Sequence, residues 1–412
     1  MKNQNQQKIR TMKVLAMNKC LFSILILSLF LTGCWDRREL NQLAITLAMG
    51  IDKVEDEYQV TAQVVVPSEV SMKGSTGSTK VTLYTARGET VFEAFRKMTK
   101  DSPRKIYPGH FRMLVISEEL AKEGIAESLD LLSRDWELRP DFYVVVAKDI
   151  TATEILNVTT TLDTLPASKM FNSLKTSEIA WAGTKSVSLD ELIQDLISDG
   201  KEAVLTGINL VGNKKIGSSK QNVETISPAA RIQYDNLAIF KEDKLIGWLT
   251  EEETIAYSDI TNSVKSTVRS LSCNNEGKVA IEVIQFKSKI KGLLKNGKPE
   301  VNININAEGT VGAVECKINL TDLGTIEELE KKFEQDVKDN IYKTLDTLQK
   351  QYKADIFGFG DAIHRSNPKE WNKLKENWDE EFSNLTTNVE VDMKILRTGT
   401  TNNSFLEKIR TN

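Results

Sequence analysis

The pattern of hydrophobic positions changes along this 412-residue chain. Residues 45–51 and 58–66 are apolar, β-branched runs around a turn-like segment and predict a β-hairpin. The unbroken apolar run at 142–147 predicts a strand that is buried on both faces. Beyond Cys273, apolar and polar residues alternate along 279–283 and 301–305. Such alternation is typical of an antiparallel sheet with one solvated face.

Helices are predicted where apolar residues recur at three- and four-residue steps. Residues 151–200 are mostly of this type, and a capping box at 188–191 (SLDE) begins one helix there. Another box at 325–328 (TIEE) predicts the start of the longest helix, which reaches Tyr352 and spans roughly 40 Å. The stretch 367–370 (NPKE) predicts the start of the last helix.

Together these elements predict an α+β (mixed α/β) fold with several domains, in which mixed or antiparallel sheets are each packed with helices. We expect a signal peptide at 1–33, an N-terminal domain at 34–200 and a C-terminal domain at 201–412. The change of strand pattern suggests a further division of the last domain near 262–275.

The N-terminal segment has the features of a lipoprotein signal peptide. Its apolar run at 21–31 has eleven residues, whereas a membrane-spanning helix needs about 20. Five cations and no acidic residue precede the run, and LTGC at 31–34 has the form of a bacterial lipobox. We therefore predict that Cys34 carries a diacylglyceryl lipid and becomes the new N-terminus. The alternative is a chance cysteine after an ordinary signal or in a short buried segment.

Lipidation at Cys34 would keep the chain on a membrane surface, because two acyl chains anchor a protein stably and one does not. Met1, Met12 and Met17 are all candidate start residues. After the lipobox, no apolar run approaches membrane-spanning length. Loss of the leader cations changes the formal net charge from −4 to −9, so the mature chain is acidic. An acidic chain without a basic cluster is not expected to bind nucleic acid.

Two further cysteines remain after the lipobox, Cys273 and Cys316. In an exported protein they could form a disulfide. Their separation along the chain neither requires nor forbids that bond. The alternative is two independent buried thiols, since free cysteine is often buried.

The residues that could carry out catalysis are few. The only histidines are His110 and His364, and the pair formed by Asp361 and His364 is too small for a metal site. We expect both histidines to be structural and hydrogen-bonded, with His364 at a helix end. The S-x-x-K stretch at 102–105 lies in a predicted loop without the partner motifs of an acyl-serine enzyme. No catalytic, metal-binding or cofactor-binding residue is therefore predicted.

One apolar face of the last predicted helix carries two tryptophans, Trp371 and Trp378. We predict that these rings belong to the core rather than to a ligand platform.

Five segments of the chain resemble the Ger(x)C family, the C-subunit lipoproteins of spore germinant receptors. In the first half these are LTGCWDRRELNQLAITLAMGID at 31–52, SPRKIYPGHFRMLVISEELAKEGI at 102–125 and LLSRDWELRPDFYVVVA at 131–147. In the second half they are NLAIFKEDKLIGWLTEEET at 236–254 and ADIFGFGDAIHRSNPKEWNKLKENW at 354–378. The resemblance covers nearly the whole mature chain.

The resemblance implies a non-enzymatic subunit of a nutrient receptor in the inner membrane of bacterial endospores. Its partners would be two integral-membrane subunits, and its contact with the nutrient germinant could be indirect. Among the family's functional positions, the lipidated cysteine corresponds to Cys34. Cys316 is not a landmark of the family, which weakens the disulfide prediction.

Two alternative functions are open. A tethered extracytoplasmic binding protein for small molecules would usually have two doubly wound lobes, whereas the second half here has strands first and long helices afterwards. An enzyme acting on the cell wall would need a histidine, carboxylate and nucleophile set, which the sequence lacks.

Overall fold

The computed structural model describes residues 12–19, 21–22, 39–71, 78–273 and 277–398. Described residues from Ala44 onward form one compact unit, and those before it group separately. In the separate group, residues 12–19 and 21–22 belong to a helix, α1. No helix in the described part of the chain is long and apolar enough to cross a membrane.

The first sheet contains nine strands among the described residues. They are β1 (Leu43–Val54), β2 (Glu57–Val65), β3 (Val81–Gly88), β4 (Lys105–Tyr107), β5 (Met113–Ser117), β6 (Tyr143–Ala147), β7 (Val204–Gly212), β8 (Ala230–Lys241) and β9 (Lys244–Trp248). Their order is β3-β2-β1-β5-β6-β7-β8-β9, with β4 beside β1. The central strands β1, β5, β6 and β7 are parallel, and the pairs at both sides are antiparallel. The sheet is therefore mixed.

Both faces of the first sheet are buried, because successive side chains of a strand point to opposite faces. In β5, Leu114 and Ile116 belong to one apolar cluster, while Met113 and Val115 belong to another. The predicted hairpin is confirmed as β1 and β2, and 142–147 is confirmed as the buried central strand β6.

Helices cover these two faces. They are α2 (Pro67–Ser71), α3 (Val91–Lys97), α4 (Glu118–Glu123), α5 (Ala126–Arg134), α6 (Ala152–Leu156), α7 (Pro166–Ala180), α8 (Leu189–Leu196), α9 (Lys214–Gly217) and α10 (Gln221–Glu224). Apolar residues of α6 and α7 pack on one face, and those of α3, α4, α5 and α8 pack on the other. The predicted start of α8 is confirmed, since Ser188 Oγ accepts a hydrogen bond from the Glu191 N–H at 3.3 Å.

The second sheet has four strands in the described part of the chain. They are β10 (Thr267–Ser272), β11 (Lys278–Lys295), β12 (Lys298–Val314) and β13 (Thr386–Arg397). The predicted antiparallel pair is confirmed as β11 and β12, and β13 adds in parallel to β12. Buried and exposed residues alternate along β12, as its sequence predicts.

One face of the second sheet is covered by helices. They are α11 (Glu251–Ile260), α12 (Leu323–Thr347), α13 (Phe359–Ser366), α14 (Pro368–Leu374) and α15 (Trp378–Ser383), and a π-helical turn follows α12 at Leu348–Tyr352. The predicted long helix is confirmed, but its predicted capping box at 325–328 is wrong. Asp322 caps α12 instead, because its Oδ1 accepts from the Gly324 N–H at 3.0 Å and extends the first turn.

Along the chain, β9 is the last strand of the first sheet, and the strands of the second sheet follow it. Residue 200, where we expected a domain boundary, lies between α8 and β7. Since β7 pairs with β6 and β8, the first sheet continues beyond this residue to Trp248. The second sheet begins at Thr267, within the predicted further division near 262–275.

Candidate functional site

The predicted lipid attachment site, Cys34, lies outside the described residues. The structure joins Cys273 and Cys316 as a disulfide, with their Cα atoms 6.4 Å apart. That separation lies in the range that a disulfide spans. The bond would tie together the ends of β10 and β12, the two strands that flank β11. Its formation in the exported protein stays a prediction.

Both histidines are exposed and lie in different parts of the fold. The His364 ring, in the last turn of α13, stacks on Trp371 with ring centroids 5.9 Å apart. This stacking replaces the hydrogen bond that we expected at the helix end. His110 lies in the loop before β5, and its side chain is exposed. No group of three or more metal-binding side chains occurs in the described ranges.

Residues 102–104 of the S-x-x-K stretch are irregular, as predicted, but Lys105 is the first residue of β4, so the predicted loop is wrong from there on. Ser102 Oγ donates to the Arg104 carbonyl oxygen at 2.7 Å. Lys105 forms an ion pair with Glu137. The serine and the lysine therefore make separate structural contacts and do not form a nucleophile and base.

The two tryptophans of the C-terminal segment are buried. The Trp371 and Trp378 rings meet edge to face, with centroids 5.1 Å apart. Both belong to the apolar cluster that covers the second sheet. Their prediction as core residues is confirmed.

A buried carboxylate organises the segment between α12 and α13. The Asp355 side chain is 2 % exposed. Five N–H groups donate to its two oxygens at 2.8 to 3.2 Å, and they belong to Phe357, Gly358, Phe359, Gly360 and Trp378. Successive backbone N–H groups that point into one concavity form an anion site. Here the chain's own carboxylate occupies that site.

Gly358 allows the backbone conformation that brings these N–H groups around the carboxylate. Its φ is +75°, in the left-handed region that costs a residue with a Cβ more than it costs glycine. With Gly358 in this conformation, the chain bends around the Asp355 carboxylate and begins α13 at Phe359. The FGFG stretch at 357–360 therefore contains the start of α13, and the Asp355 carboxylate caps that start.

The segment that contains Asp355 and Asp361 also contacts the loop between α8 and β7 directly. A Cβ atom on Gly200 would lie 2.7 Å from the backbone nitrogen of Asp361, so the two backbones touch. The Glu202 N–H donates to the Asp355 carbonyl oxygen at 2.8 Å, and the Asp361 N–H donates to the Gly200 carbonyl oxygen at 3.3 Å. We call Gly200, Glu202, Asp355, Asp361 and Trp378 the Asp355 junction. It holds the loop between α8 and β7 against the helices of the second sheet.

Burial and hydrogen bonding have opposite effects on the pKa of Asp355. Burial raises the pKa of the Asp355 carboxyl to about 6, although the N–H donors favour its charged form. Burial also raises the pKa of Glu202. Because both Asp355 oxygens are enclosed and hydrogen-bonded within the protein, this carboxylate acts as an internal anchor rather than as an acid or base.

The sequence interpretation did not identify Asp355 or Gly200. A local signal was present, because an aspartate lies three residues before Gly358 and five before Gly360. Aspartate side chains often accept hydrogen bonds from backbone N–H groups a few residues later. No local signal pairs Gly200 with a segment 160 residues further along the chain.

Comparison with known proteins gives matches along nearly the whole chain. A model of the spore germination protein N-terminal domain matches residues 36–210. A model of the spore germination B3/GerAC-like C-terminal domain matches residues 235–399. Between them these models cover the second sheet, the Asp355 junction and most of the first sheet.

Two curated relatives are proteins of Bacillus subtilis (strain 168). Spore germination protein KC is 31 % identical to this chain over 403 residues, covering 95 % of this chain and 99 % of the relative. Spore germination protein B3 is 27 % identical, covering 92 % of this chain and 98 % of the relative. The crystal structure of the GerBC protein is 21 % identical, covers 88 % of this chain and 100 % of that one, and has a TM-score of 0.52. That similarity supports the α+β fold.

Proposed function

Because this chain belongs to the spore germination B3/GerAC-like family, we propose that it is the lipid-anchored C subunit of a nutrient germinant receptor. The observation that carries the proposal is the 31 % identity to spore germination protein KC across almost the full length of both chains. The match covers 95 % of this chain and 99 % of the relative, so it extends over both sheets and the C-terminal helices.

The lipid anchor of the proposal rests on the leader sequence. LTGC follows a positively charged segment and an eleven-residue apolar run, in the order that a lipoprotein signal requires. A diacylglyceryl group on Cys34, with acyl chains such as palmitate, would hold the protein at the outer face of the spore inner membrane. Two acyl chains are enough for stable attachment.

The proposed partners are two integral-membrane receptor subunits. In this view the chain acts by docking on those subunits, and the nutrient reaches the complex without an obligatory contact with this chain. The Asp355 junction supports such a role, because it fixes the loop between α8 and β7 of the first sheet to the helices over the second sheet. A displacement at one region would then move the other with it.

Lipidation is tested by comparing two cysteine variants. Cys34→Ala should release the protein from spore membranes and move it to the aqueous phase in a detergent partition. Cys20→Ala is the matched control, since Cys20 precedes the lipobox and should not affect attachment. If the Cys34→Ala protein stayed in the detergent phase, the lipid anchor at this position would be wrong.

The partners are tested by affinity purification. A chain with a C-terminal tag, expressed during sporulation and extracted gently from spore membranes, should recover two multi-span membrane proteins. Recovery with an importer, or without any membrane protein despite confirmed lipidation, would instead support a tethered binding protein for small molecules.

A further inference from the structure

The exposed face of the second sheet carries three columns of polar side chains, one from each of β11, β12 and β13. Residues that pair across neighbouring strands point to the same face, so they form rows across these columns. We call this surface the charged face. From β11 through β12 to β13, its three central rows are Lys287 with Asn306 and Asp392, Lys289 with Asn304 and Glu390, and Lys291 with Asn302 and Asn388.

The outer columns of the charged face carry opposite charges. In the central rows the β11 column is basic, and the β13 column carries Glu390 and Asp392. The asparagine column between them separates the two by about 10 Å, which is two strand spacings. Two rows beyond Asp392 both signs reverse, because Glu282 of β11 and Arg397 of β13 flank Thr310. Three rows therefore have opposite charges at their two ends.

The charges of these rows are exposed and unpaired within the described chain. Lys287, Lys289 and Glu390 are exposed and form no ion pair with a described residue, whereas Lys295 at the end of β11 pairs with Glu300 at 3.7 Å. Exposed charges are normally solvated, so exposure alone indicates no partner. The order of the charges is what indicates one.

The charged face is complementary to itself. A two-fold axis parallel to β12, midway between two stacked sheets, places β12 of one copy on β12 of the other. The same rotation places β11 of each copy on β13 of the other and keeps every row at the same height. Lysine then faces a carboxylate in two rows, and Glu282 faces Arg397 in a third. An axis perpendicular to the strands would instead place lysine on lysine.

The distance between stacked sheets suits these contacts. Two sheets pack about 10 Å apart, a gap that lysine and carboxylate side chains can bridge from both sides. Along the axis, asparagine meets asparagine, and an amide both donates and accepts hydrogen bonds. Asn388 Nδ2 already donates to Asn302 Oδ1 at 3.0 Å. Glu308 would meet its own copy at some cost, with Lys394 beside it in the same row.

We propose that the charged face binds a second copy of this chain, about a two-fold axis parallel to β12. Five rows on three strands cover roughly 500 Å² in projection, which is typical of weak and transient interfaces. We therefore expect a reversible dimer with a Kd on the order of 10 μM. The inference goes beyond the receptor role and does not depend on the lipid anchor or on membrane subunits.

The dimer is tested by sedimentation of the full-length chain in a density-matched detergent. Between about 1 and 100 μM protein at low salt, we expect the chain to change from monomer to dimer. Raising the salt concentration should weaken the dimer, because salt screens exposed ion pairs.

Charge reversal locates the contact. Lys289→Glu would place glutamate on Glu390 of the other copy, and Glu390→Lys would place lysine on Lys289. Each contact occurs twice in the dimer, so either variant should raise the Kd at least about tenfold, and both should keep the parent melting temperature because the two positions are exposed.

A mixture of the two single variants gives the sharpest test. In a dimer of one Lys289→Glu chain and one Glu390→Lys chain, opposite charges meet at both positions, so the mixture should dimerise like the parent protein. Lys215→Glu is the matched control, since it reverses an exposed lysine on α9, outside the charged face, and should leave the Kd unchanged.

Three outcomes would overturn the proposal. A parent chain that stays monomeric up to about 100 μM would leave the charged face to solvent or to a different protein. A dimer that neither reversal weakens, or that Lys215→Glu weakens equally, would not be held by this face. A mixture of the single variants that stays monomeric would exclude the two-fold arrangement.

Discussion

The two sheets of this chain differ in how they are covered. Every residue of β5 in the first sheet is buried, because helices lie over both faces. Along β12 in the second sheet, buried and exposed residues alternate, because the helices described by the structure lie over one face. Parallel central strands need crossovers that place helices over the faces, whereas long antiparallel strands can leave one face to solvent.

The difference predicts how each sheet tolerates substitution. A two-sided sheet has no position at which a central residue can become polar or smaller without loss of packing. A one-sided sheet tolerates change at every second residue. Substitutions in the two sheets test this contrast.

The helical layer over the second sheet can be tested at Trp371. Trp371→Ala should lower the free energy of unfolding by ~3–5 kcal/mol, because it leaves a cavity in the layer of helices that covers one face of that sheet. Trp136→Ala is the control, since Trp136 is 82 % exposed and its loss should change stability by less than about 0.5 kcal/mol. An unchanged denaturation midpoint for Trp371→Ala would mean that this ring does not support the layer.

Neighbouring substitutions test the contrast itself. Leu114→Ala should cost about 2–5 kcal/mol, and Val115→Ala should also be clearly destabilising, because both lie in the core of the first sheet. In β12, Ile303→Ala should cost about 2–5 kcal/mol, but Asn304→Ala less than about 0.5 kcal/mol. Urea denaturation of the four variants measures these differences. A tolerant Val115 or a sensitive Asn304 would contradict the proposed covering of the sheets.

The disulfide is expected to stabilise the second sheet at the C-terminal ends of β10 and β12. Cys273 and Cys316 are 43 residues apart, so in the chain-entropy model their bond is worth about 4 kcal/mol, and measured values are often 2–4 kcal/mol. A Cys273→Ala, Cys316→Ala double variant should have a free energy of unfolding that is lower by about 2–4 kcal/mol. Reductant should destabilise the parent protein and leave the double variant unchanged. Equal sensitivity of both proteins to reductant would argue against the bond.

The Asp355 junction predicts a pH dependence of stability. The folded-state pKa of Asp355 is raised from 3.8 to about 6, so between these values the folded protein binds this proton more tightly than the unfolded chain does. The free energy of unfolding should therefore fall as pH rises from about 4 to about 6, by about 3 kcal/mol for this group. Denaturation midpoints across this range measure the slope.

Asp355→Asn is the companion variant for that slope. It should flatten the pH dependence, since asparagine does not titrate. It should also lower stability at neutral pH, because an amide N–H₂ would face the Gly360 and Trp378 donors. If the slope persisted in the variant, another buried carboxyl would be its source.

Local patterns predicted most of the elements correctly. The hairpin of β1 and β2, the buried strand β6, and the caps at Ser188 and Asn367 all depend on residues that are close in sequence. The errors were also local in origin. Asp322 competed with Thr325 for the cap of α12, and the short strands β4 and β10 lack a run of apolar residues long enough to signal a strand.

Neighbouring residues and periodicity were enough to predict most strands and helices, the buried strand β6, the half-exposed strands β11 and β12, and the family that the chain resembles. The contact of Gly200 with the Asp355 segment, and the cleft that Thr184 and Asn209 share with α7, arise only when the chain folds. These contacts join segments that are distant in the chain, and their partners are chosen by close packing and by the pairing of buried polar groups, which no local pattern encodes.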